Sequence, residues 1–416
     1  MWRRNLYAAW LSQLLAISGF GFVLPFIPFY IQELGITEPE QLRLWTGVLS
    51  AAPALSMAIM APVWGLAADR WGKKLMMLRA MFFGTIIMAL MATTRSVQAV
   101  LVLRICQGLF TGTMTAAATL VATGTPKHQL SYALGMLSSS TFIGISLGPM
   151  IGGLVAEWIG YRPSFVIGGV MLAIGFVIVL LLVREHEVDE PQVGEPEREP
   201  PGRKPFGRLA SILSVQMLGL FVLILMLRFV RALPIPFLPL YIQELRGELT
   251  GSASATGMVS AARGAVTALA AVTIARLGDR HNRLLLVGIL LAIAGVFSLP
   301  IYFTGSLWSF SVFLVLATFF LGGVEPLVQA DLSSRVSPAR RGMLFGVQTS
   351  IASLGWFAAP LVGSLVSIRF GIPHIFLTLT VFLFVTVAIV FVVYLRGVNN
   401  APAVNDSRKQ PPRSTA

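Results

Sequence analysis

Pro25-Phe26-Ile27-Pro28-Phe29-Tyr30-Ile31-Gln32-Glu33-Leu34 returns as Pro236-Phe237-Leu238-Pro239-Leu240-Tyr241-Ile242-Gln243-Glu244-Leu245, identical at eight of ten positions after a shift of 211 residues. Asp69-Arg70 recurs as Asp279-Arg280, Gly135 as Gly346, Pro149 as Pro360, Gly152 as Gly363 and Gly160 as Gly371, all at shifts of 210 or 211. The chain is a doubled unit whose halves run in the same direction, an arrangement that builds two parallel bundles around a shared interior.

The composition says what surrounds each half. Apolar residues make up 56% of the 416-residue chain and charged residues 12%, against about a quarter charged in soluble domains. Mean hydropathy is +0.79, so the solvent is lipid. Runs of about 20 apolar residues, the helical length that crosses the hydrocarbon core, fall near 6–31, 44–66, 75–93, 97–121, 131–156 and 163–183. Six more fall near 210–242, 254–275, 284–303, 308–330, 342–367 and 373–395. The predicted fold is an all-α membrane protein with twelve transmembrane helices in two parallel six-helix repeats. Its parts are an N-terminal bundle (1–183), a linker (184–209), a C-terminal bundle (210–398) and a tail (399–416).

Twelve crossings put both termini on one side, and the bases choose it. Arg3, Arg4, Arg70, Lys73, Lys74, Arg79, Lys127, Arg276, Arg280, Arg283, Arg335, Arg340, Arg341 and Arg396 share a face with the termini and linker, whereas the other face holds Arg43, Arg95, Arg162, Arg246 and Arg369. By the positive-inside rule the termini are cytoplasmic. The net charge of +13 is then a matter of topology and of affinity for anionic headgroups, and it is no sign of nucleic-acid binding. The linker, with its acids and Pro191, Pro196, Pro200 and Pro201, reads as a mobile solvated tether, and the tail as disordered. The first apolar run is too long for a cleavable signal and is repeated inside the chain.

Cys106 is the single cysteine, so thiolate clusters and disulfides are excluded; its expected role is packing. The four histidines, at 128, 186, 281 and 374, are scattered, and there is no Walker motif. Neither a cofactor nor a metal is expected. Gly144-x-Ser146-x-Gly148 matches the pattern of a hydrolase nucleophile elbow, but that turn needs a strand, a turn and a histidine base, and Ser146 sits in mid-span.

Three motifs stand out. Gly65-Leu66-Ala67-Ala68-Asp69-Arg70-Trp71-Gly72-Lys73-Lys74-Leu75 joins spans two and three through a glycine-bounded turn bearing one acid and several bases, suited to a latch on a helix end and also readable as a short basic loop. Leu103-Arg104-Ile105-Cys106-Gln107-Gly108 lies in span four. Gly144-Ile145-Ser146-Leu147-Gly148-Pro149-Met150-Ile151-Gly152-Gly153 lies in span five; Gly144, Gly148 and Gly152 share a helix face that admits a close neighbour, and Pro149 removes a backbone hydrogen bond. Such a helix serves either as a hinge or as ordinary small-residue packing.

These three stretches resemble motifs A, B and C of the major facilitator superfamily, and the resemblance covers nearly the whole chain. Motif C resembles the signature of drug:proton antiporters. The opening Trp2-Arg3-Arg4-Asn5-Leu6, the Pro-x-x-Pro-x-Tyr segment and Leu78-Arg79 are similar to the MdtG-type multidrug exporters. The resemblance implies a latch at Gly65, Asp69, Arg70, Gly72 and Lys73, a hinge at Gly144, Gly148, Pro149 and Gly152, and a proton-coupling role for Arg104. It also implies a monomer in the plasma (inner) membrane whose partners are protons, lipid and a small-molecule substrate.

Ionisable groups inside spans are costly and usually line a cavity. Those placed within spans are Arg104, Arg228, Arg231, Arg263 and Glu325. Burial favours a neutral carboxyl and a neighbouring guanidinium favours an ionised one, which makes Glu325 the candidate proton site; its alternative is a static ion pair. Arg104 has as its alternative a bond to neighbouring helix carbonyls. Arg228 and Arg231, three apart on one face, either grip an anion or snorkel to the interface. Phe26, Tyr30, Phe237, Tyr241 and Trp356, with Phe20, Phe22, Phe229 and Phe357, are candidates for an aromatic cavity floor.

Three functions fit. The leading one is a proton-coupled antiporter exporting amphipathic compounds by alternating access, driven by roughly 2.3 kcal/mol per proton per 100 mV. The second is a transporter of a small anion, such as a phosphonate or carboxylate, held by Arg228 and Arg231. The third is a membrane enzyme or receptor on the same fold, for which the sequence offers no catalytic motif.

Overall fold

The structure is a computed structural model, and it describes residues 2–126, 129–185, 215–278, 281–334 and 341–399. All regular structure among them is helical. Span one is Trp2–Gly21, a 3-10 turn Leu24–Phe26 and Ile27–Glu33; span two is Pro39–Trp71; span three is Lys73–Thr93. Span four is split into Val97–Phe110 and Thr113–Gly124, and Leu130–Ile159 and Tyr161–Leu182 are spans five and six. The second half repeats the plan. Span seven is Val215–Ala232 with Leu238–Arg246, and Ser252–Gly278 is span eight. Arg283–Ser298 with the turn Leu299–Phe303 is span nine, Leu307–Gly322 with Val324–Ser334 is span ten, and Arg341–Phe370 and Pro373–Asn399 are spans eleven and twelve. Eleven of these are long and apolar enough to cross a membrane, and span seven completes the twelve.

The repeat seen in sequence is a repeat in structure. Helices break at equivalent places: the 3-10 turn of span one, after Gly21, matches the turn after Ala232, and the break at Gly112 in span four returns at Gly323 in span ten. Ser96 and Ser306, 210 apart, cap equivalent helices by accepting from Ala99 N and Ser309 N, each at 3.3 Å. Gly160 and Gly371 both take positive φ, 91° and 95°, a conformation that a side chain resists, and so turn the chain from span five to six and from eleven to twelve. Tyr30 Oη donates to the Met91 and Thr94 carbonyls at 2.7 and 3.1 Å, and Tyr241 Oη to the Thr304 carbonyl at 3.4 Å.

Each half packs its spans around its own core, one against five and six and three against six in the first half, nine against ten and twelve in the second. The halves meet along two seams, span two on span eleven and span five on span eight. Among the described residues, the hydrogen bonds that cross between halves are Gln32–Gln243, Arg43–Ser367, Ser364–Arg43, Ser146–Ala261 and Glu157–Ser254. All lie at mid-depth or toward the face away from the termini, and the halves are joined there.

Of the expected linker, Arg184 and Glu185 are described and are fastened to the N-terminal half. Asn5 Nδ2 donates to the Arg184 carbonyl at 2.6 Å, Arg184 N donates to Asn5 Oδ1 at 3.0 Å, and Glu185 Oε1 accepts from Lys73 N at 2.6 Å. The rest of the linker and the tail after Asn399 lie outside the described residues.

Candidate functional site

The break in span ten places a carboxylate at the start of a helix. Val324–Ser334 begins after Gly323, and Glu325 stands in its first turn, where the helix dipole favours negative charge. Span seven brings Arg228 and Arg231 to the same spot, since residues three apart share a helix face. Arg228 Nη2 donates to Glu325 Oε1 and Arg231 Nη1 to Oε2, so one carboxylate bridges two guanidiniums. Gln329, one turn on, donates to Oε1 at 3.4 Å. Leu227, Val328 and Gln348 from spans seven, ten and eleven complete a small cavity around this group. About a quarter of each charged side chain is exposed, so the bridge can be reached from the cavity. The three sequence-predicted residues are thus brought together; the two arginines do not snorkel.

Arg263 stands in span eight. Its Nε donates to Thr318 Oγ1 at 3.4 Å, and among the described residues no carboxylate pairs with it. The wall of the cavity itself carries two guanidiniums, Arg228 and Arg231, and one carboxylate, Glu325.

Arg104 lies apart, in the N-terminal half. It is buried, with Nε donating to the Leu49 carbonyl at 2.8 Å and Nη1 to Gln107 Oε1 at 2.6 Å. It ties span four to the backbone of span two, which is the carbonyl-binding alternative considered for it.

The aromatic floor needs correction at four of its five principal members. Phe26, Tyr30, Phe237 and Tyr241 are buried in side-chain packing and do not face the cavity. Tyr30 meets Phe165 at 4.9 Å and Tyr241 meets Phe310 at 4.9 Å. The reason is their place in the fold: the repeated decapeptide forms the short helices Ile27–Glu33 and Leu238–Arg246 with the turns before them, where Tyr30 and Tyr241 are enclosed by the core of their own half and Phe26 packs with Phe29 against Ala253 of span eight, across the seam. Trp356 differs. Gly355 faces span seven and Pro360 faces span two; Trp356, 38% exposed, lies on the arc between those faces, toward the space between the halves.

The hinge glycines Gly144, Gly148 and Gly152 pack within their own half. A Cβ on Gly144 would lie 2.8 Å from Ile17 Cγ2, on Gly148 3.0 Å from the Ser18 carbonyl oxygen, and on Gly152 2.6 Å from Phe22 Cα. The glycine face of span five is therefore the bed for span one, and Leu130–Ile159 runs as one helix through Pro149. In motif A, Gly72 has φ 92° and separates spans two and three, while Glu185 caps the helix that begins at Lys73. Gly65 has open space around it and Arg70 is exposed; the side chain of Asp69 lies outside the described residues, as does the repeat pair Asp279-Arg280.

Sequence reasoning assigned no role to Gln107, which it met only within the span-four motif, or to Gln329 and Gln348. The available signal was polarity: an amide inside an apolar span needs a partner, and Gln107 and Gln329 sit three and four residues from Arg104 and Glu325.

Comparison with known proteins agrees with this architecture. The Major Facilitator Superfamily model matches residues 9–248 and again 220–416. The multidrug resistance protein MdtG of Escherichia fergusonii is 32% identical over 378 residues, covering 90% of this chain and 91% of its own, and that of Dickeya zeae is 33% identical over 376 residues with the same coverage. Among solved structures, a bacterial homolog of the human lysosomal transporter Spinster, inward-facing and unoccupied, superposes with TM-score 0.82 at 17% identity, covering 97% of this chain and 99% of that one. The human organic anion transporter MFSD10 gives 0.68 at 19% identity, covering 94% and 99%.

Proposed function

The chain belongs to the major facilitator superfamily, and from that premise we propose that this transporter is a proton-coupled antiporter exporting small amphipathic compounds by alternating access. Its relatives are named multidrug resistance proteins, and the hydrogen bonds that join the halves among the described residues, lying at mid-depth or away from the terminal face, fit one of the two states such a cycle needs. The termini and linker are cytoplasmic, by the distribution of bases, which makes the present state the one open inward and the plasma membrane its location. It works as a monomer. Residues 1–183 and 210–398 are the rocking bodies, with motif A as latch and motif C as hinge between packed spans.

The observation that carries the reading is Glu325 held between Arg228 and Arg231 at a cavity. Ionised, the carboxylate ties span ten to span seven. Protonated, it loses its attraction for both guanidiniums, and the two spans are free to separate. A proton entering from one side and leaving to the other thereby changes the packing of the cavity wall. Arg104 contributes by fixing span four against span two.

A second reading, an anionic substrate, is favoured by the excess of guanidiniums over carboxylates at the cavity. A phosphonate or carboxylate would displace Glu325 from Arg228 and Arg231. The test of both is transport by purified protein in proteoliposomes under an imposed pH gradient, with lipophilic cations beside phosphonate and carboxylate anions. Proton-linked cation movement supports the antiporter of amphipathic drugs; movement of anions alone replaces it with the second reading; no proton-linked movement of any compound refutes coupling.

A further inference from the structure

The closed seam obeys the repeat. Gln32 and Gln243, equivalent residues of the two decapeptides, exchange amide hydrogen bonds with each other, Nε2 of each donating to Oε1 of the other at 2.9 and 3.2 Å. Gly47 of span two and Gly257 of span eight are 210 residues apart. Each lies against the other half's proline helix: a Cβ on Gly47 would sit 2.8 Å from the Pro360 carbonyl oxygen, and one on Gly257 2.5 Å from that of Pro149. These contacts form a two-fold related set that brings the backbones together with little room to spare.

Beside this symmetric set stand two contacts that break the symmetry, and both put a charge on a helix end. Glu157, near the end of span five, accepts from Ser254 N at 3.2 Å and from Ser254 Oγ. Ser254 lies in the first turn of span eight, so the acid faces that helix's positive end. Arg43, in the second turn of span two, donates through Nη1 to the Ser367 carbonyl at 2.8 Å, in the last turn of span eleven. There the base faces the negative end. The equivalents of Glu157 and Arg43 in the second half are Ile368 and Ala253, so both charges belong to the N-terminal half. Ser364 Oγ closes the second contact by donating to the Arg43 carbonyl at 3.0 Å.

We propose that the seal on the face away from the termini is a charge-to-helix-end clasp, in which Glu157 and Arg43 of the N-terminal half hold opposite poles of spans eight and eleven, and that its release opens that face. Close packing and the glutamine pair align the surfaces; the two charges set how long they stay together. The proposal rests on the alternating-access reading but on neither the proton site nor the substrate. Because the helix ends carry fixed partial charges, the clasp depends on the sign of each side chain. Removing either charge shifts the open-to-closed ratio by about fivefold, the shift expected of a charge at a helix end, and reversing it shifts the ratio further.

The test is a distance measurement between spin labels on cysteines placed at Thr37 and Leu249, both exposed and in opposite halves, in a Cys106→Ser background in nanodiscs without substrate. Gly257→Trp, and separately Gly47→Trp, serve as steric openers, because neither site has room for even a methyl group. The expected result is a longer-distance population that grows severalfold in Glu157→Gln and Arg43→Gln, grows more in Glu157→Lys and Arg43→Glu, and stays near the unsubstituted protein in Arg43→Lys. If the tryptophan variants lengthen the distance and the charge variants do not, the seal is steric and the clasp is wrong. If neither tryptophan variant lengthens it, the halves do not rock, and the alternating-access reading falls together with the clasp.

Discussion

Arg104 Nε donates to the backbone carbonyl of Leu49 at 2.8 Å, pinning span four to span two inside the N-terminal half. The C-terminal half makes the corresponding tie from the other partner: Arg263 of span eight reaches Thr318 of span ten, and Thr318 stands 211 residues after Gln107. Each half thus carries one guanidinium between its second and fourth helices. The N-terminal one makes two hydrogen bonds, at 2.8 and 2.6 Å, and the C-terminal one a single bond at 3.4 Å, so the first is the more firmly held.

Replacing Arg104 should therefore cost stability first. Arg104→Ala removes a buried, doubly bonded group and leaves the Leu49 carbonyl and Gln107 with one partner fewer; a loss of about 3 kcal/mol is expected. Arg104→Lys recovers only part of it, since an ammonium lacks the planar fork. Thermal unfolding in detergent measures this. Full stability in Arg104→Ala would contradict the tie.

Glu325→Gln should abolish proton-driven export while leaving the protein folded, because the amide keeps the shape and cannot ionise. Glu325→Asp should retain part of the activity, as the shorter side chain cannot reach both Arg228 and Arg231. Proton-dependent uptake into inverted vesicles reads both. A Gln variant with undiminished proton dependence would remove Glu325 as the coupling group.

The glycines separate into crowded and open positions. A Cβ at Gly108 would lie 2.7 Å from Ser56 Cβ and 2.8 Å from Pro53 Cα, so Gly108→Ala should destabilise by about 1–3 kcal/mol. Gly65 has nothing within 4 Å, and Gly65→Ala should leave stability unchanged or raise it by up to about 1 kcal/mol. If motif A is a latch that closes on Gly65 in the other state, the same substitution lowers transport without lowering the melting temperature. Unchanged transport would dismiss Gly65 from the latch.

The repeated tyrosines should respond unequally to loss of the hydroxyl. The Tyr30 hydroxyl proton is shared between two carbonyls, at 2.7 and 3.1 Å, whereas Tyr241 Oη donates to one, at 3.4 Å. Tyr30→Phe should cost about 1–2 kcal/mol and Tyr241→Phe little. Neither should change substrate preference, because both rings are buried away from the cavity. A changed substrate profile would restore them to the cavity wall.

Much of the fold was legible in the chain because its signals are local or periodic. Lipid imposes a minimum apolar length on each span, and duplication leaves identical residues at a constant offset; both can be read without knowing any contact. Glu325, Arg228 and Arg231 were legible as candidates for the same reason, since charge inside an apolar run is conspicuous. Their grouping was not, because it depends on where a break at Gly323 turns the start of a helix relative to a span 97 residues earlier at Arg228. The aromatic residues of the decapeptide misled: rings in a repeated, proline-bounded segment look like a binding surface, and only packing distinguishes a cavity wall from a plug.

The sequence by itself determined the solvent, the number of crossings, the two-fold repeat and the short set of charged residues able to act within the membrane, since burial in lipid restricts composition residue by residue. The tertiary structure alone decided which of those charges meet. It joined Glu325 to two arginines, consigned Arg104 to a backbone carbonyl, and set Gln32 on Gln243 and Glu157 on Ser254. Such pairings arise from the relative placement of rigid helices whose faces carry no mark of their partner, and a hydrogen bond exists only where that placement brings two atoms within about 3 Å.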